Sequence, residues 1–274
     1  MSEHLAHWPR IAKTWRLVGP PLRPSEHDVE RFSRAVARRN PRRVVQPVQA
    51  LVLGVTPELF ALRWPQGAKV RALDGSAQMI SAVWPGPSGS AVVGSWTATP
   101  IADASQDVIV CDGGFGLLSY PQGQHSLLSE VRRMLVPGGI FIIRLFAPAG
   151  LTGSINDIAA DLDGGQIPSL EVLKLRLWGA LHRDRVTGVC PRDVVAKIDE
   201  MAGGLDQLVN RHGWSAEHVA SLELHRNSDA VYHLTDASEL IDMAEELPGF
   251  ERQSVESADD SIGVCCPVVS LRRC

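Results

Sequence analysis

The sequence predicts an α/β fold built on a parallel sheet. The segment from Ala50 to Asp74 supports this prediction, because an apolar β-run leads to a turn at Gly54, a helix-like piece that begins at Pro57, and a second β-run. A strand, a helix and a second strand in this order are typical of a βαβ unit. Three more apolar β-runs, with helical segments between them, continue the pattern. We therefore expect one α/β core over residues 46–147.

A ligand site is predicted at the carboxyl edge of this sheet. The turn at Gly54 and the helix start at Pro57 gather free backbone N–H groups there, which suits an anionic or polar ligand. Asp74 ends the next strand, where a carboxylate accepts both hydroxyls of a ribose. The loop after Gly54 reads Val-Thr-Pro-Glu and lacks the glycines that let a pyrophosphate approach the backbone. An adenosine ligand is therefore favoured over NAD(P).

Two later stretches add to this signal. The first, SAVVGSWTATPIADASQDVIVCDGG, runs from Ser90 to Gly114 and contains the third and fourth β-runs. The second, LLSEVRRMLVPGGIFIIRLF, runs from Leu127 to Phe146. It joins a helix to a fifth β-run through Leu-Val-Pro-Gly-Gly.

With the Gly54 turn and Asp74, these stretches resemble the ordered motifs of class I S-adenosylmethionine-dependent methyltransferases over about residues 47–147. The resemblance implies a Rossmann-like, seven-stranded, mostly parallel sheet with helices on both faces and an antiparallel pair at its end. It implies S-adenosylmethionine as cofactor and S-adenosylhomocysteine as product. The implied contacts are Gly54 and Thr56 near the amino-acid end, Asp74 on the ribose, Gly75 and Ser76 beside the adenine, Ser95 and Trp96 at its edge, and Asp112 with Gly113 near the methionyl amine.

The chain departs from the family pattern at two places. Ser95 stands where an acid usually holds the adenine amino group, although a hydroxyl can accept the same hydrogen bond. Trp96 beside it offers a backbone N–H or an aromatic wall, or is merely packed. Residues 112–115 read Asp-Gly-Gly-Phe, whereas enzymes of this class that methylate nucleobases or glutamine often carry D/N-P-P-Y/F. This difference speaks against a nucleobase or glutamine amide as acceptor.

Few catalytic side chains are expected. A sulfonium methyl group is already activated, so an enzyme mainly has to align the acceptor and exclude water. Accordingly, no Ser-His-Asp order, His-Glu-x-x-His motif or phosphate-binding loop is visible. The catalytic candidates are His125, the base nearest the fourth-strand loop, and Arg144, which interrupts the fifth β-run. For Arg144 a structural ion pair is favoured over a substrate-carboxylate contact, and for Asp112 a turn cap competes with the ligand role.

Residues 1–45 are predicted to form a helical arm. Apolar residues three and four positions apart predict a helix over residues 4–18. Ser25 and Asp28 form a second helix start, and Asn40-Pro41 ends that helix. The proline-bounded loop at 19–24 between the helices is either a lid over the site or a plain connector.

Residues 148–247 are predicted to form a mostly helical insertion that carries acceptor specificity. Helix starts are expected at Ser169, Pro191, Ser215 and Asp236, and a short β-run at Ala230–Leu234. Residues 248–274 read as two strands around a turn at Asp259-Asp260, with Pro267 indicating an edge or a bulge. Four side chains of the insertion are possible pocket residues, but none is assigned: Trp178, His182, Tyr232 and His233.

Charge is unevenly distributed over the 274 residues. The chain has a net charge of −4, yet residues 1–46 are basic and the remainder is acidic. Arg38, Arg39, Arg42 and Arg43 form the densest basic cluster, but it lacks interleaved aromatic residues and the acidic body would repel phosphates. A solvated helix face, or docking of the arm on the acidic body, is therefore favoured over nucleic-acid binding.

Composition also limits the class of protein. The five cysteines show no C-x-x-C pair, so neither a metal site nor a disulfide framework is indicated. No apolar run reaches the ~18 residues of a membrane span, and no apolar leader is visible at the N-terminus. We expect a cytoplasmic monomer or homodimer.

Three hypotheses follow in order. The first is an S-adenosylmethionine-dependent methyltransferase that acts on a small-molecule acceptor. The second is a non-catalytic scaffold or sensor of the same fold that binds the cofactor or its product. The third is an NAD(P)-dependent oxidoreductase, which ranks last because the Gly-x-Gly turn is absent.

Overall fold

The protein is described by a computed structural model covering residues 8–38, 47–151, 153–247, 249–258 and 263–274. Its strands are β1 (Gln49–Leu53), β2 (Lys69–Asp74), β3 (Ala91–Val93), β4 (Gln106–Asp112), β5 (Leu135–Arg144), β6 (Phe250–Glu256) and β7 (Val268–Arg273). They form one seven-stranded sheet in the order β3-β2-β1-β4-β5-β7-β6. The first five strands pair in parallel, and β7 pairs antiparallel to β5 and β6. The predicted seven-stranded, mostly parallel sheet is confirmed.

The helices of the described residues fall into three groups. The arm contains α1 (Trp8–Ile11) and α2 (Glu26–Ala37), and the core contains α3 (Pro57–Phe60), α4 (Ala77–Val83) and α5 (Gln122–Met134). After β5 follow α6 (Ile155–Asp163), α7 (Leu170–Leu181), α8 (Pro191–Ala202), α9 (Leu205–His212), α10 (Ala216–Ala220) and α11 (Ala237–Glu245). None of these described helices is long and apolar enough to cross a bilayer.

Helices cover both faces of the sheet, as predicted. Val52 and Val110 belong to the apolar cluster that the sheet forms with α2, α3 and α4. Leu51 and Ile109 belong to the opposite cluster, formed with α5 and α11. Strands buried on both faces read as continuous apolar runs, which explains the lack of alternation in the sequence of β1 and β4.

The strand order places a topological switch point between β1 and β4. From β1 the chain moves outward to β2 and β3, and then returns to the other side of β1 as β4. The loops after β1 and β4 therefore leave toward opposite faces of the sheet. A crevice opens between them at the carboxyl ends, which is where open α/β sheets bind ligands.

The segment after β5 has its own apolar core. Leu173, Ile198 and Leu208 are fully buried there among side chains from α6 to α10. Helix starts follow the predicted N-cap signals, since the Ser169 and Ser215 side chains accept backbone hydrogen bonds. Phe146, at the end of β5, packs against the same core, so the helical unit lies over the carboxyl edge of the sheet.

The arm docks onto the core through both apolar and charged contacts. Phe32 and Val36 of α2 are buried in the sheet cluster, and the predicted Ser25 start is a complete capping box with Asp28. Arg34 and Arg38 pair with Glu256 of β6 at 2.7 and 2.6 Å. Docking of the arm on the acidic body is thus observed for these arginines. The rest of the basic cluster, Arg39, Arg42 and Arg43, and the predicted stop at Asn40-Pro41, lie outside the described residues.

Three local expectations are wrong. The helix expected over 4–18 is broken in its described part into α1 and a 3-10 turn at Trp15–Leu17. Ala230–Leu234 is no strand, because only one isolated bridge joins Tyr232 to Val189. Pro267 precedes the interior strand β7, and the bulge of this pair lies in β6, between Arg252 and Ser254. The expected turn at Asp259-Asp260 lies outside the described residues.

Candidate functional site

A cavity of about 300 Å³ opens at the carboxyl ends of β1, β2 and β4. Most of the residues expected to contact the cofactor line it: Gly54, Thr56, Asp74, Gly75, Ser95, Trp96 and Asp112. Gly113 instead lines an adjoining chamber. Ser76 is the buried N-cap residue of α4, where its side chain accepts the Met79 backbone N–H at 3.2 Å. The structure therefore brings the motif residues together at the switch point.

Trp96 forms one wall of this cavity. Its indole N–H donates to the Leu73 carbonyl oxygen at 2.8 Å, so the orientation of the ring is defined. A β-carbon on Gly54 would lie 3.6 Å from the ring, and one on Gly114 only 2.6 Å. Gly54 also has a φ of +95°, a conformation that glycine adopts without a steric cost. Trp96 is thus both packed and part of the site.

A substitution at Gly114 tests this packing. Gly114→Ala places a methyl group 2.6 Å from the Trp96 ring and 2.9 Å from the Cys111 sulfur, so the ring has to move. We expect a loss of about 1–3 kcal/mol in the free energy of unfolding, measured by urea denaturation. Gly19→Ala is the matched control, because its β-carbon meets nothing within 4 Å. Equal stability of the two variants would contradict the packing.

Asp74 has the surroundings of a ligand-binding carboxylate. Its Oδ1 accepts the Ser76 backbone N–H at 2.7 Å, and its second oxygen accepts no hydrogen bond from the described residues. Burial raises the pKa of Asp74 to about 6, and the hydrogen bond from Ser76 opposes this rise. A carboxylate that is partly desolvated and half satisfied favours a donor such as a ribose hydroxyl.

Ser95 lies at the far end of the cavity, after β3. Its hydroxyl is 3.0 Å from the Thr97 hydroxyl and accepts the Thr97 backbone N–H at 3.2 Å. The side chain is exposed, unlike that of Asp74. Ser95 therefore lines the cavity, as expected for the adenine edge. Its hydroxyl belongs to a turn and can form a further hydrogen bond with a ligand.

Arg144 belongs to a buried ion network rather than to the cavity surface. Its Nε donates to Asp112 Oδ1 at 2.5 Å, and its Nη1 donates to the Pro21 carbonyl oxygen at 2.8 Å. Asp28 of α2 is 3.4 Å away and pairs in turn with Arg31 at 2.9 Å. Arg144 is fully inaccessible. The structural ion pair predicted for it is observed, and the substrate-carboxylate role is not supported.

This network also defines the role of the arm loop and of Asp112. The loop at 19–24 is held at the Pro21 carbonyl by Arg144, and its residues line neither the cavity nor the chamber except Leu22. Burial raises the pKa of Asp112 above its usual range, and the nearby Arg144 guanidinium opposes part of this rise. Asp112 is therefore held beside the cavity as one member of an ion pair.

His125 lies away from the site. It is on α5, where its Nε2 is 3.8 Å from Glu246 of α11, and it lines neither the cavity nor the chamber. Gly123, in the first turn of α5, does line the cavity, so the contact ends two residues before His125. The structure thus gives no contact between His125 and either space, and its role as a base stays a prediction.

The adjoining chamber has a volume of about 120 Å³ and lies between the sheet edge and the helical unit. An aromatic cluster forms its wall: Trp178 packs edge-on against Phe146, with ring centroids 5.7 Å apart, and against Tyr232, with centroids 5.2 Å apart. Cavity and chamber share Trp8, Trp15, Thr56, Asp112, Leu117 and Tyr232 among their lining residues. The two spaces are therefore neighbours.

Several lining residues were not identified from the sequence. Trp8 and Trp15 come from the arm, Met79 from α4, and Leu117, Leu118 and Ser119 from the segment after β4. The Trp15 indole N–H is buried, and no described residue accepts a hydrogen bond from it. The spacing of the tryptophans in the arm indicated that one face of the arm is packed, but it did not indicate which part of the protein that face contacts. Trp178 and Tyr232, two of the four unassigned aromatic and histidine residues, do line the chamber, whereas His182 and His233 do not.

The residues around the cavity fit an adenosyl sulfonium. Asp74 offers a free oxygen for hydroxyl donors, Gly54 and Gly114 keep the crevice open, and Trp15 offers an unpaired donor. No His, Cys, Asp or Glu group suited to a metal ion occurs in the part of the chain that the structure describes. Cys111 is buried in the core.

Comparison with known proteins agrees with this geometry. Residues 51–143 match the family model of the methyltransferase domain. No curated protein matches the sequence as a relative.

Solved structures share the fold at low identity. A Rhodobacter sphaeroides protein provisionally described as a Zn-dependent alcohol dehydrogenase aligns over 100% of both chains, with a TM-score of 0.64 and 12% identity. The N-methyltransferase NodS from Bradyrhizobium japonicum WM9, in complex with S-adenosyl-L-homocysteine, aligns over 94% of this chain and 91% of its own, with a TM-score of 0.50 and 13% identity. A provisionally assigned methyltransferase bound to the Haloferax volcanii Trm112 activator covers 99% and 96%, with a TM-score of 0.52 and 15% identity.

The family match covers β1 to β5, the strands that build the cavity, and the structural likenesses agree on the fold. The matched segment also contains the Gly54 turn, Asp74 and the Leu-Val-Pro-Gly-Gly element. Residues 51–143 of the chain therefore match a methyltransferase domain, and the fold around them is the one that the resemblance predicts.

Proposed function

We propose that this protein transfers a methyl group from S-adenosylmethionine to a small-molecule acceptor held in the aromatic chamber. The observation that carries the proposal is the adjacency of two spaces: a cavity at the switch point and a chamber that shares six lining residues with it. Methyl transfer requires this arrangement, because donor and acceptor have to meet in line and away from water.

The cofactor is assigned to the cavity. Asp74 would accept the ribose hydroxyls, the Gly54 turn would allow close approach of the amino-acid end, and Trp96 would provide an apolar wall. When bound, S-adenosylmethionine supplies an activated methyl group on a sulfonium. Asp112 lines both the cavity and the chamber, so it marks the junction where the methyl group would pass from one to the other.

The acceptor is assigned to the chamber on the basis of size and lining. A space of about 120 Å³ admits a small molecule or one side group of a larger one. Phe146, Trp178 and Tyr232 offer aromatic surfaces, on which planar apolar groups pack favourably. The Asp-Gly-Gly-Phe sequence after β4 adds no proline slot for a nucleobase. We therefore infer a small acceptor with an apolar or aromatic body.

The protein contributes mainly binding and exclusion of water. Trp8 and Trp15 of the arm line both spaces, and so does Tyr232 of the helical unit. No side chain among the described residues is assigned as a general base, since His125 and Arg144 are both engaged elsewhere.

Val18→Trp tests the division into a cofactor cavity and an acceptor chamber. Val18 lines the chamber but not the cavity, so a larger side chain should exclude acceptors and leave the cofactor site intact. We expect at least a tenfold loss of methyl transfer across a panel of small aromatic acceptors, detected by mass spectrometry with methyl-labelled cofactor. S-adenosylhomocysteine affinity, measured by calorimetry, should stay within twofold.

The matched control is Val186→Trp, because Val186 is 72% exposed and lines neither the cavity nor the chamber. Methyl transfer that is unaffected by Val18→Trp would contradict the assignment of the chamber. Tight cofactor binding without turnover on any acceptor would favour the non-catalytic alternative. Binding of NAD(P)H in place of S-adenosylhomocysteine would favour the oxidoreductase alternative.

A further inference from the structure

Lys174 is the cationic side chain of the acceptor chamber. It lies on α7, one turn before Trp178, and lines the chamber together with His225. Within the described residues, its ammonium group makes no hydrogen bond and no salt bridge. Glu171, the nearest acidic residue in its own helix, is instead 2.6 Å from His218. A lysine in this position is desolvated without a dedicated anionic partner.

The surroundings of Lys174 are apolar. Trp178, Phe146 and Leu234 line the same space, and desolvation lowers the pKa of Lys174, although Glu171 opposes this shift. Lys174 is half-buried, and a partly desolvated lysine without a carboxylate partner is costly in its charged form. An anionic ligand would remove this cost by supplying the missing partner, which makes the site selective for a negative charge.

Lys174 lines the chamber from the helical unit, and other residues line it from the sheet edge. Thr56, Asp112 and Gly113 line it from the side of the cofactor cavity, whereas Lys174 and His225 also line a small cleft between α7 and α8. The cleft adjoins Val194 and Leu222 of the helical core. A molecule that extends through the chamber would thus present one end to the sulfonium and the other to Lys174.

We propose that Lys174 binds a carboxylate or comparable anionic group of the methyl acceptor, at the end of the molecule opposite to the methylated atom. This inference rests on the proposed function for the location of the methyl group. The acceptor class is then a small aromatic or apolar acid. The reversed orientation is disfavoured, because the anion would then meet Asp112, whose partner Arg144 is already engaged in the buried ion pair.

The test compares acids with their neutral amides. Binding of benzoate and benzamide, and of 4-hydroxybenzoate and 4-hydroxybenzamide, is measured by calorimetry on the full chain saturated with S-adenosylhomocysteine. We expect each acid to bind at least tenfold more tightly than its amide. Lys174→Met should abolish this preference and Lys174→Arg should retain part of it. Lys69→Met, at an exposed lysine of β2, is the control and should leave the preference unchanged.

Folding is checked by near-UV circular dichroism, because removal of a desolvated charge should leave the native signal in place. An acid preference that persists in Lys174→Met would overturn the proposal, and so would the absence of any preference in the native protein. Failure of S-adenosylhomocysteine to bind would overturn the proposed function instead. In that case the acid preference, measured without the nucleoside, still decides whether Lys174 recognises an anion.

Discussion

Asp74→Ala is expected to weaken the binding of S-adenosylhomocysteine by about 100-fold. The carboxylate can accept two charge-assisted hydrogen bonds from a ribose, each worth about 1.5 kcal/mol, and a loss of about 3 kcal/mol corresponds to roughly two orders of magnitude in affinity. Isothermal titration calorimetry at pH 8 measures this change. Ser95→Ala is the control, because Ser95 lines the same cavity but is exposed, and it should cost less than tenfold.

The same carboxylate predicts a pH dependence of binding. Burial raises the pKa of Asp74 to about 6 in the folded protein without ligand. Below this pH the carboxyl group is neutral and accepts hydrogen bonds less strongly, so affinity should fall by about tenfold between pH 7.5 and pH 5. In Asp74→Asn this dependence should disappear. Affinity that stays constant in the native protein over this range would contradict the role of Asp74.

The sign of the stability effect is opposite to that of binding. The folded-state pKa of Asp74, about 6, lies above the ordinary value of 3.8, so ionisation destabilises the folded state, and this penalty is fully present above pH 6. It decreases as the pH falls through 6 and vanishes below about 3.8. Asp74→Asn should therefore be at least as stable as the native protein at pH 8 while it loses affinity. A variant that unfolds would show a structural rather than a ligand-binding role.

Arg144→Met is expected to lower the free energy of unfolding by about 3–5 kcal/mol. Removal of the guanidinium leaves Asp112 and Asp28 buried without their shared cation, and an uncompensated buried charge costs this much. It also frees the Pro21 carbonyl, to which Arg144 donates at 2.8 Å. Urea denaturation followed by tryptophan fluorescence measures the loss, and the arm should become more accessible to protease.

Two further variants separate the network from a general effect of arginine removal. Arg192→Met breaks an exposed pair with Asp229, and exposed pairs contribute at most about 1 kcal/mol. Arg144→Met combined with Asp112→Asn removes both members of the closest pair, so it should recover part of the lost stability. If the double variant loses as much free energy of unfolding as Arg144→Met alone, Asp112 is not the partner whose unpaired charge causes the loss.

The core strands and the glycine and acidic positions of the crevice were predictable from the sequence. A strand, a turn and a capping box depend on residues close together in the chain, such as Ser25 with Asp28 or Leu53 with Gly54. Local patterns of this kind report backbone conformation directly. The cavity at the switch point follows from them, because parallel strands align their carboxyl ends.

The partners of Arg144 were not predictable in the same way. Its position within an apolar β-run indicated an ion pair, but Asp28 lies 116 residues away. Likewise, His125 is close in the chain to the fourth-strand loop and is yet directed toward α11. Proximity in sequence says little about contact once a helix has changed the direction of the chain.

The sequence by itself thus determined that this protein has a mostly parallel sheet with Gly54 and Asp74 at its carboxyl edge. Only the tertiary structure decided that Trp15, Lys174 and Tyr232 meet beside that edge and form a second chamber. The physical reason is that periodicity identifies which side chains avoid water, whereas the neighbour that each one meets depends on how distant elements pack together.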